Sequence, residues 1–324
     1  MSSIAYITDK KMIEFHRLNG NSTINFWRPS SSKRFTDFNP GDLLFFLAKG
    51  TERGPLKEKG LIGYGRYTQA VKLTFRQMWN QYGLLNGYPT EAALKEAILK
   101  VSKEKTLAHQ FSCVKLANIV FFQSPVYLSE LGITISSNLE SYIYLDKEDP
   151  QTTSKILWKA QEVGIDSWTS VVSQNAPSEK VFTEDLIRHN LTLKISELPS
   201  HNKAEDQRKV QKWLSAYQKN HPDLHWLDDR QSELFGFEEQ ELCITSVLIS
   251  NKTDLIQKLL IVIGKAMVIT QQAHLIPDFK DYTIRYQILC DQDISDEWSA
   301  LLKAGAIDII KTDPAGQSTD NAES

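Results

Sequence analysis

The sequence predicts an α+β protein in two parts: a strongly curved sheet or small barrel carrying helical insertions, followed by a mixed α/β domain. Three observations lead there. In the first half, runs rich in Ile, Val, Phe and Tyr recur between clusters of Pro, Gly, Ser and Asn. In the second half, strand-like runs alternate with segments of helical period. The length, 324 residues, is more than one ordinary domain needs.

Taken in order, the first-half strands are TINFWR at 23–28, DLLFFLAK at 42–49, GLIGYGRY at 60–67, FSCVKLANIVFF at 111–122 and SYIYL at 141–145. Asn39-Pro40-Gly41-Asp42 is a turn before the second of them, Pro presetting one dihedral and Gly supplying freedom at the next. Thr74 caps a helix over 75–82 that places Met78 and Tyr82 on one side and stops at Gly83. Thr90 caps a longer one, EAALKEAILKVSKE, with Leu94, Ile98 and Val101 facing inward and Lys95, Lys100 and Lys103 toward water.

From about 163 to 183 the periodicity lapses around Pro177, which places a domain junction there. Beyond it, a helix over 204–218 lines up Val210, Trp213, Leu214 and Tyr217. CITSVLIS at 243–250 is a buried strand, and a helix from Thr253 presents Leu255, Leu259, Ile263 and Met267. YTIRYQIL at 282–289 is a strand, Ser295 caps a helix that ends at Gly305, and AIDII at 306–310 is a last strand. Residues 313–324 have no aliphatic anchor larger than alanine and read as a disordered tail.

Composition narrows the function. Hydrophobic residues at 41% mark a folded chain rather than a disordered one. Cys113, Cys243 and Cys290 are far apart, which excludes a disulfide framework and a cysteine-rich zinc site. The apolar run LLIVIGKAMVI at 259–269 is too short to span a bilayer, and the N-terminus has no signal-peptide core, so a cytoplasmic protein without membrane contact is expected. Glycine fingerprints, P-loops and hydrolase motifs are absent, GYGRYTQ at 63–69 being incomplete as a nucleotide motif. Charge is unevenly spread. Residues 1–115 carry 18 Lys+Arg and 9 Asp+Glu, a net of +9, within a chain whose net is -3, so residues 116–324 carry -12. A nucleic-acid surface therefore belongs in the first part.

Four blocks in sequence, NFWRPSSSKRFTDFNPGDLLFFL, GLIGYGRY, TFRQMWNQYGLLNGYPTEAALKEAI and SCVKLANIVFFQSPV, resemble the N-terminal reader domain of HNH-type modified-cytosine-dependent restriction endonucleases. That reader is similar to PUA-like folds, including EVE domains: a twisted barrel that receives an extruded base. The resemblance spans roughly residues 10–160 and implies a PUA-like (EVE-like) reader over 1–165, a linker over 166–183 and an α/β domain of unassigned role over 184–312. It also implies a partner: double-stranded DNA carrying a modified base such as 5-methylcytosine, in defence against phage.

A reader of an extruded base needs flat walls and a few groups for the base edge. Trp27, Tyr64 and Trp79 are candidate walls and Asn86 a candidate edge-reader, each with a core-packing or turn-forming alternative. Arg28, Ser30, Lys33 and Arg34 suit phosphate, with Arg66 and Arg76 extending the basic set; an exposed solubilising loop is the alternative.

The second part lacks the expected HNH block. Its most metal-like cluster is HPDLHWLDD, with His221, His225, Asp228 and Asp229, but no second cysteine or histidine pair completes a site and an ordinary loop with a helix start is the simpler reading. A different nuclease core places one acid ahead of a strand carrying Glu-x-Lys. FEEQELCITSV supplies Glu238, Glu239 and Glu241 without the lysine, which makes an acidic rim the simpler reading. The expected function is thus a DNA-binding module with an effector or partner-binding domain that pairs with another protein or with itself. A modification-dependent endonuclease with a diverged metal site and an RNA-binding PUA-like protein are the alternatives. No cofactor is expected; Mg2+ enters only with the endonuclease.

Overall fold

The computed structural model describes residues 3–29, 35–102, 107, 110–136, 139, 141–173, 178–227, 231–251, 253–276, 279 and 282–312. The chain forms two compact units, Met1–Leu186 and Ile187–Ser324.

Unit 1 opens with two elements absent from the sequence reading, β1 (Ile4–Asp9) and α1 (Lys10–Leu18). Asp9 ends the strand and caps the helix, its carboxylate accepting from Lys11 N at 2.9 Å. β2 (Thr23–Pro29), β3 (Leu43–Arg53) and β4 (Glu58–Leu73) follow. The insertion comprises α2 (Phe75–Tyr82), a 3-10 turn over Gly83–Asn86 and α3 (Glu91–Val101). Thr74 and Gln77 form a reciprocal capping box at the start of α2, and Thr90 Oγ1 accepts from Ala93 N at 3.1 Å at the start of α3. β5 (Phe111–Val126), β6 (Tyr142–Tyr144), α4 (Thr152–Val163) and α5 (Trp168–Ser173) complete the unit with the first part of α6 (Ser178–Glu197).

The six strands run β2-β5-β4-β3-β1-β6, antiparallel except for β1 beside β3. The sheet curls until its edges approach: Tyr6 on β1 meets Phe26 on β2 edge-on, ring centroids 5.0 Å apart. Among the described residues no backbone pairing joins β2 to β6, so the barrel expected from the sequence is an open, curled sheet with a side-chain seam. Part of the curl is set at Gly63, where β4 shifts register against β5; with φ +153°, a Cβ there would lie 2.4 Å from the Val120 carbonyl oxygen. The apolar continuity of DLLFFL has a simple cause, because β3 is buried on both faces. Leu44 and Phe46 enter the core shared with Phe26, Met78 and Ile98, whereas Leu43, Phe45 and Leu47 enter the one shared with α4.

Of the segment expected as a linker over 166–183, Trp168–Ser173 and the residues from Ser178 onward are helical, and Phe182 and Leu186 of α6 are buried in that second core. The tail at 313–324 lies outside the described residues.

Unit 2 is a three-layer arrangement. β7 (His225–Trp226), β8 (Glu233–Glu238), β9 (Glu241–Leu248), β10 (Thr283–Cys290) and β11 (Ile307–Lys311) lie side by side in chain order. β8 runs antiparallel to both of its neighbours, β7 and β9, and the last three strands are parallel. The parallel steps need crossovers, which α8 (Leu255–Ala273) and α9 (Asp296–Ala304) supply. α7 (Gln207–Asn220) packs Val210, Trp213, Leu214 and Tyr217 onto Leu234, Val247 and Leu289 on one face. Glu233 and Ser246, register partners on the other face, lie beneath α8, whose Lys265 bonds to Glu233.

Candidate nucleic-acid interface

The predicted wall and edge residues of unit 1 are drawn into its framework. Trp27 is 9% exposed, with Phe111 edge-on at 6.4 Å, and its indole Nε1 donates to the Asn86 carbonyl at 3.0 Å. The Asn86 side chain is fully buried: Oδ1 accepts from Asn25 Nδ2 at 2.8 Å, and Nδ2 donates to the Gly83 carbonyl at 2.8 Å. Both groups therefore lock β2 to the insertion, and the Asn86 amide has its hydrogen bonds committed before any base arrives. Tyr64 is 0% exposed, and its hydroxyl donates to Asp185 Oδ2 at 3.0 Å. Arg66 bridges the same carboxylate, Nη2 to Oδ1 at 2.6 Å. Burial, with Asp185 alongside, pushes the Tyr64 hydroxyl well up, so it stays a proton donor. Trp79 is half-buried and Arg76 exposed, both on α2. Ser30, Lys33 and Arg34 lie outside the described residues.

The accessible aromatic surface of unit 1 is instead at the seam of the curled sheet. β1 and β6 pair so that Tyr6 faces Tyr142, their rings stacked at 5.8 Å and 12°. Phe35 meets Tyr142 edge-on at 5.0 Å, and Tyr144 does so at 5.7 Å. The Arg28 guanidinium, at the end of β2, lies 4.2 Å above the Phe35 ring and is only 6% exposed, so in place of the exposed phosphate contact expected from the sequence it braces the aromatic cluster from within. The Tyr144 hydroxyl accepts from Thr36 N at 3.1 Å, tying β6 to the segment that joins β2 and β3. Beside it Phe38 stacks on Tyr67 at 4.9 Å. Tyr6, Phe35, Tyr67, Tyr142 and Tyr144 are all half-buried and packed against the core of unit 1. Burial, with Tyr144 adding to it, pushes the Tyr142 hydroxyl up and keeps it a donor at neutral pH. The sequence signal for this cluster was present in SYIYL, where strand alternation puts Tyr142 and Tyr144 on one face. The partners Tyr6 and Phe35 carried no local mark.

An apolar hollow of about 550 Å³ lies elsewhere in unit 1, between the hairpin at residues 53–59 and residues 128–139; Leu47, Leu56, Leu128 and Ile133 line it, and no predicted site residue does.

In unit 2 the acidic and histidine candidates are dispersed. His221 stacks on Tyr217 at 3.9 Å, and its Nδ1 lies 3.0 Å from the Tyr217 carbonyl, whereas His225 is on β7 near Phe235. Asp228 and Asp229 lie outside the described residues. Glu238 and Glu241 flank the hairpin turn, and Glu239 sits in it with φ 51°. Arg285 faces this rim, 3.2 Å from Glu241 and 3.6 Å from Glu238. Among the described residues no three His, Cys, Asp or Glu side chains are grouped to hold a metal ion.

The acid that the sequence reading missed is Glu233, 2% exposed and paired with Lys265 of α8. It stands opposite Ser246 on β9. His201 completes the cluster: its Nε2 donates to the Val247 carbonyl at 2.9 Å and lies 3.1 Å from Ser246 Oγ. Burial lowers its pKa, with Lys265 acting in the same direction.

No protein-family model and no curated protein matches the chain. Solved structures similar to it include ASCH from Zymomonas mobilis, at 14% identity over 47% of this chain and 94% of that one, with a TM-score of 0.33. Two single-site mutants of that protein match at 14% and 12% identity, each over 48% of this chain and over 98% and 95% of theirs, with TM-scores of 0.33 and 0.34.

Proposed function

We propose that unit 1 is a nucleic-acid-binding module whose ligand is duplex DNA carrying a modified base, and that unit 2 serves it as an effector or partner-binding domain, in defence against foreign DNA. The observation that carries this reading is the seam: half-buried aromatic rings gathered between two sheet edges and braced by the buried Arg28, in the part of the chain with a net of +9 over residues 1–115. Flat faces accept an unstacked base, tyrosine hydroxyls donate to its edge, and surrounding cations hold phosphate. Trp27 and Asn86 serve this role at one remove, by fixing β2 and hence Arg28.

The test is fluorescence anisotropy of the full chain with labelled duplexes, plain and containing 5-methylcytosine, at two salt concentrations, with single-stranded RNA of the same sequence as a third ligand. Affinity for duplex should fall as salt rises, because phosphate contacts release counterions. Tyr142→Ala should weaken binding of the modified duplex by roughly 1–3 kcal/mol, about 5- to 150-fold, while leaving the salt slope unchanged. Absence of duplex binding at low salt refutes the reading; tighter binding to the RNA replaces the ligand class.

A further inference from the structure

α8 is built inside out. Its two lysines are on the inward face, where Lys265 bonds to Glu233 and Lys258 bridges Asp254 at 3.2 Å. Its outward face carries Ile256, Leu260, Met267 and Val268, exposed by 54, 56, 60 and 40%. A helix that water alone covers distributes these side chains the other way round. We propose that this outward face is a self-association surface, on which two copies of the chain pair their α8 helices antiparallel and cross at Gly264.

The choice of a second copy as the occupant rests on the order of residues about Gly264. Three positions before and after it stand Ile261 and Met267, four before and after stand Leu260 and Val268, and seven before and after stand Gln257 and Gln271. At 100° per residue these positions share one face about 120° wide. A two-fold contact requires one patch to complement itself. An antiparallel crossing at Gly264 meets that requirement at these three steps, with Ile256 at the rim opposite the other copy's Gln272: Leu260 faces the other copy's valine, Ile261 its methionine, and Gln257 an amide with which it exchanges hydrogen bonds. No charged residue interrupts the face. A Cβ built on Gly264 meets nothing within 4 Å, so the helices are free to approach there. The competing occupant is a bilayer, because α8 has the length and apolar composition to cross one. The self-complementary order, which a lipid surface does not require, favours the second copy. Four half-exposed aliphatic side chains per copy are fewer than a standard interface uses, so the association is expected in the micromolar range.

Sedimentation velocity of the full chain from about 5 to 500 µM should show a concentration-dependent monomer–dimer equilibrium, consistent with an interface of this size. Leu260→Glu and Val268→Lys should each leave only monomer. The double variant, which places opposite charges across the two-fold axis, should restore the dimer. Gly264→Leu provides a check independent of charge: it favours the helix, so the monomer should melt higher, while its bulk weakens the dimer at least about tenfold. Thermal melts establish that each variant is folded, as expected for exposed positions. A wild-type chain that is monomeric throughout, dimeric single variants, or a double variant that stays monomeric would each overturn the proposal. So would binding of the wild-type monomer to phosphatidylcholine vesicles that Leu260→Glu abolishes, which would identify the bilayer as the occupant.

Discussion

His16 shows how burial converts an ordinary residue into a pH liability. Its ring is fully enclosed in unit 1, Nδ1 accepts from Asn21 Nδ2 at 3.0 Å, and burial pulls its pKa from 6.5 down to about 3. The folded state holds it neutral, whereas the unfolded chain protonates it near 6.5. Its contribution is therefore complete above pH 6.5 and is lost as pH falls toward 3, at a slope approaching about 1.4 kcal/mol per unit. Urea unfolding followed at pH 7.5 and 5.0 should show the wild type losing about 2 kcal/mol more than a folded His16→Gln variant. Equal losses would mean that the ring is not buried as described. His201 shifts in the same direction in unit 2, so the variant comparison, rather than the wild-type curve alone, isolates His16.

Among the elements, the insertion meets α1 at a tight place. Gly87 closes the 3-10 turn with φ +85°, and a Cβ there would lie 2.6 Å from Met12 Cγ and 2.9 Å from His16 Nε2 on α1. Gly87→Ala combines backbone strain with a clash and should destabilise unit 1 by about 2–3 kcal/mol, read as a lower urea midpoint; unchanged stability would show that α1 moves aside. The start of α2 was legible because Thr74 and Gln77 form a local code, and the five strands of the first half because their punctuation is local too. β1 and α1 were not, since six strand residues run straight into a helix with Asp9 as the one signal between them. The same limit governed the site. Nothing near Arg66 announces Asp185, which arrives from 119 residues away, and nothing near Tyr6 announces Tyr142. Sequence chemistry identified residues suited to holding a base, but long-range packing assigned Trp27, Tyr64 and Asn86 to the framework and placed other aromatics at the opening.

For the whole molecule, the proposed division gives recognition to unit 1 and the response to unit 2, and the cluster under α8 bears on whether that response includes cutting. Phosphodiester hydrolysis needs charge stabilisation and an activated water, usually from carboxylates around a divalent ion. Glu233 has Lys265 as its partner and Ser246 opposite, so the full chain incubated with modified DNA in Mg2+ or Mn2+ should leave it intact on a gel. Cleavage that a folded Glu233→Gln variant lacks would reverse this assignment. The seam has a further consequence, in time rather than space. Among the described residues β6 pairs as a strand with β1 alone, and β1 lies between it and β3. On the ribosome, at about 5–20 residues per second, residue 144 follows β1 by roughly 7–27 s. Throughout that interval the nascent chain carries its first strand with one side unpaired, so the surface proposed to meet nucleic acid is also a late part of unit 1 to be assembled, and the one most dependent on protection during synthesis.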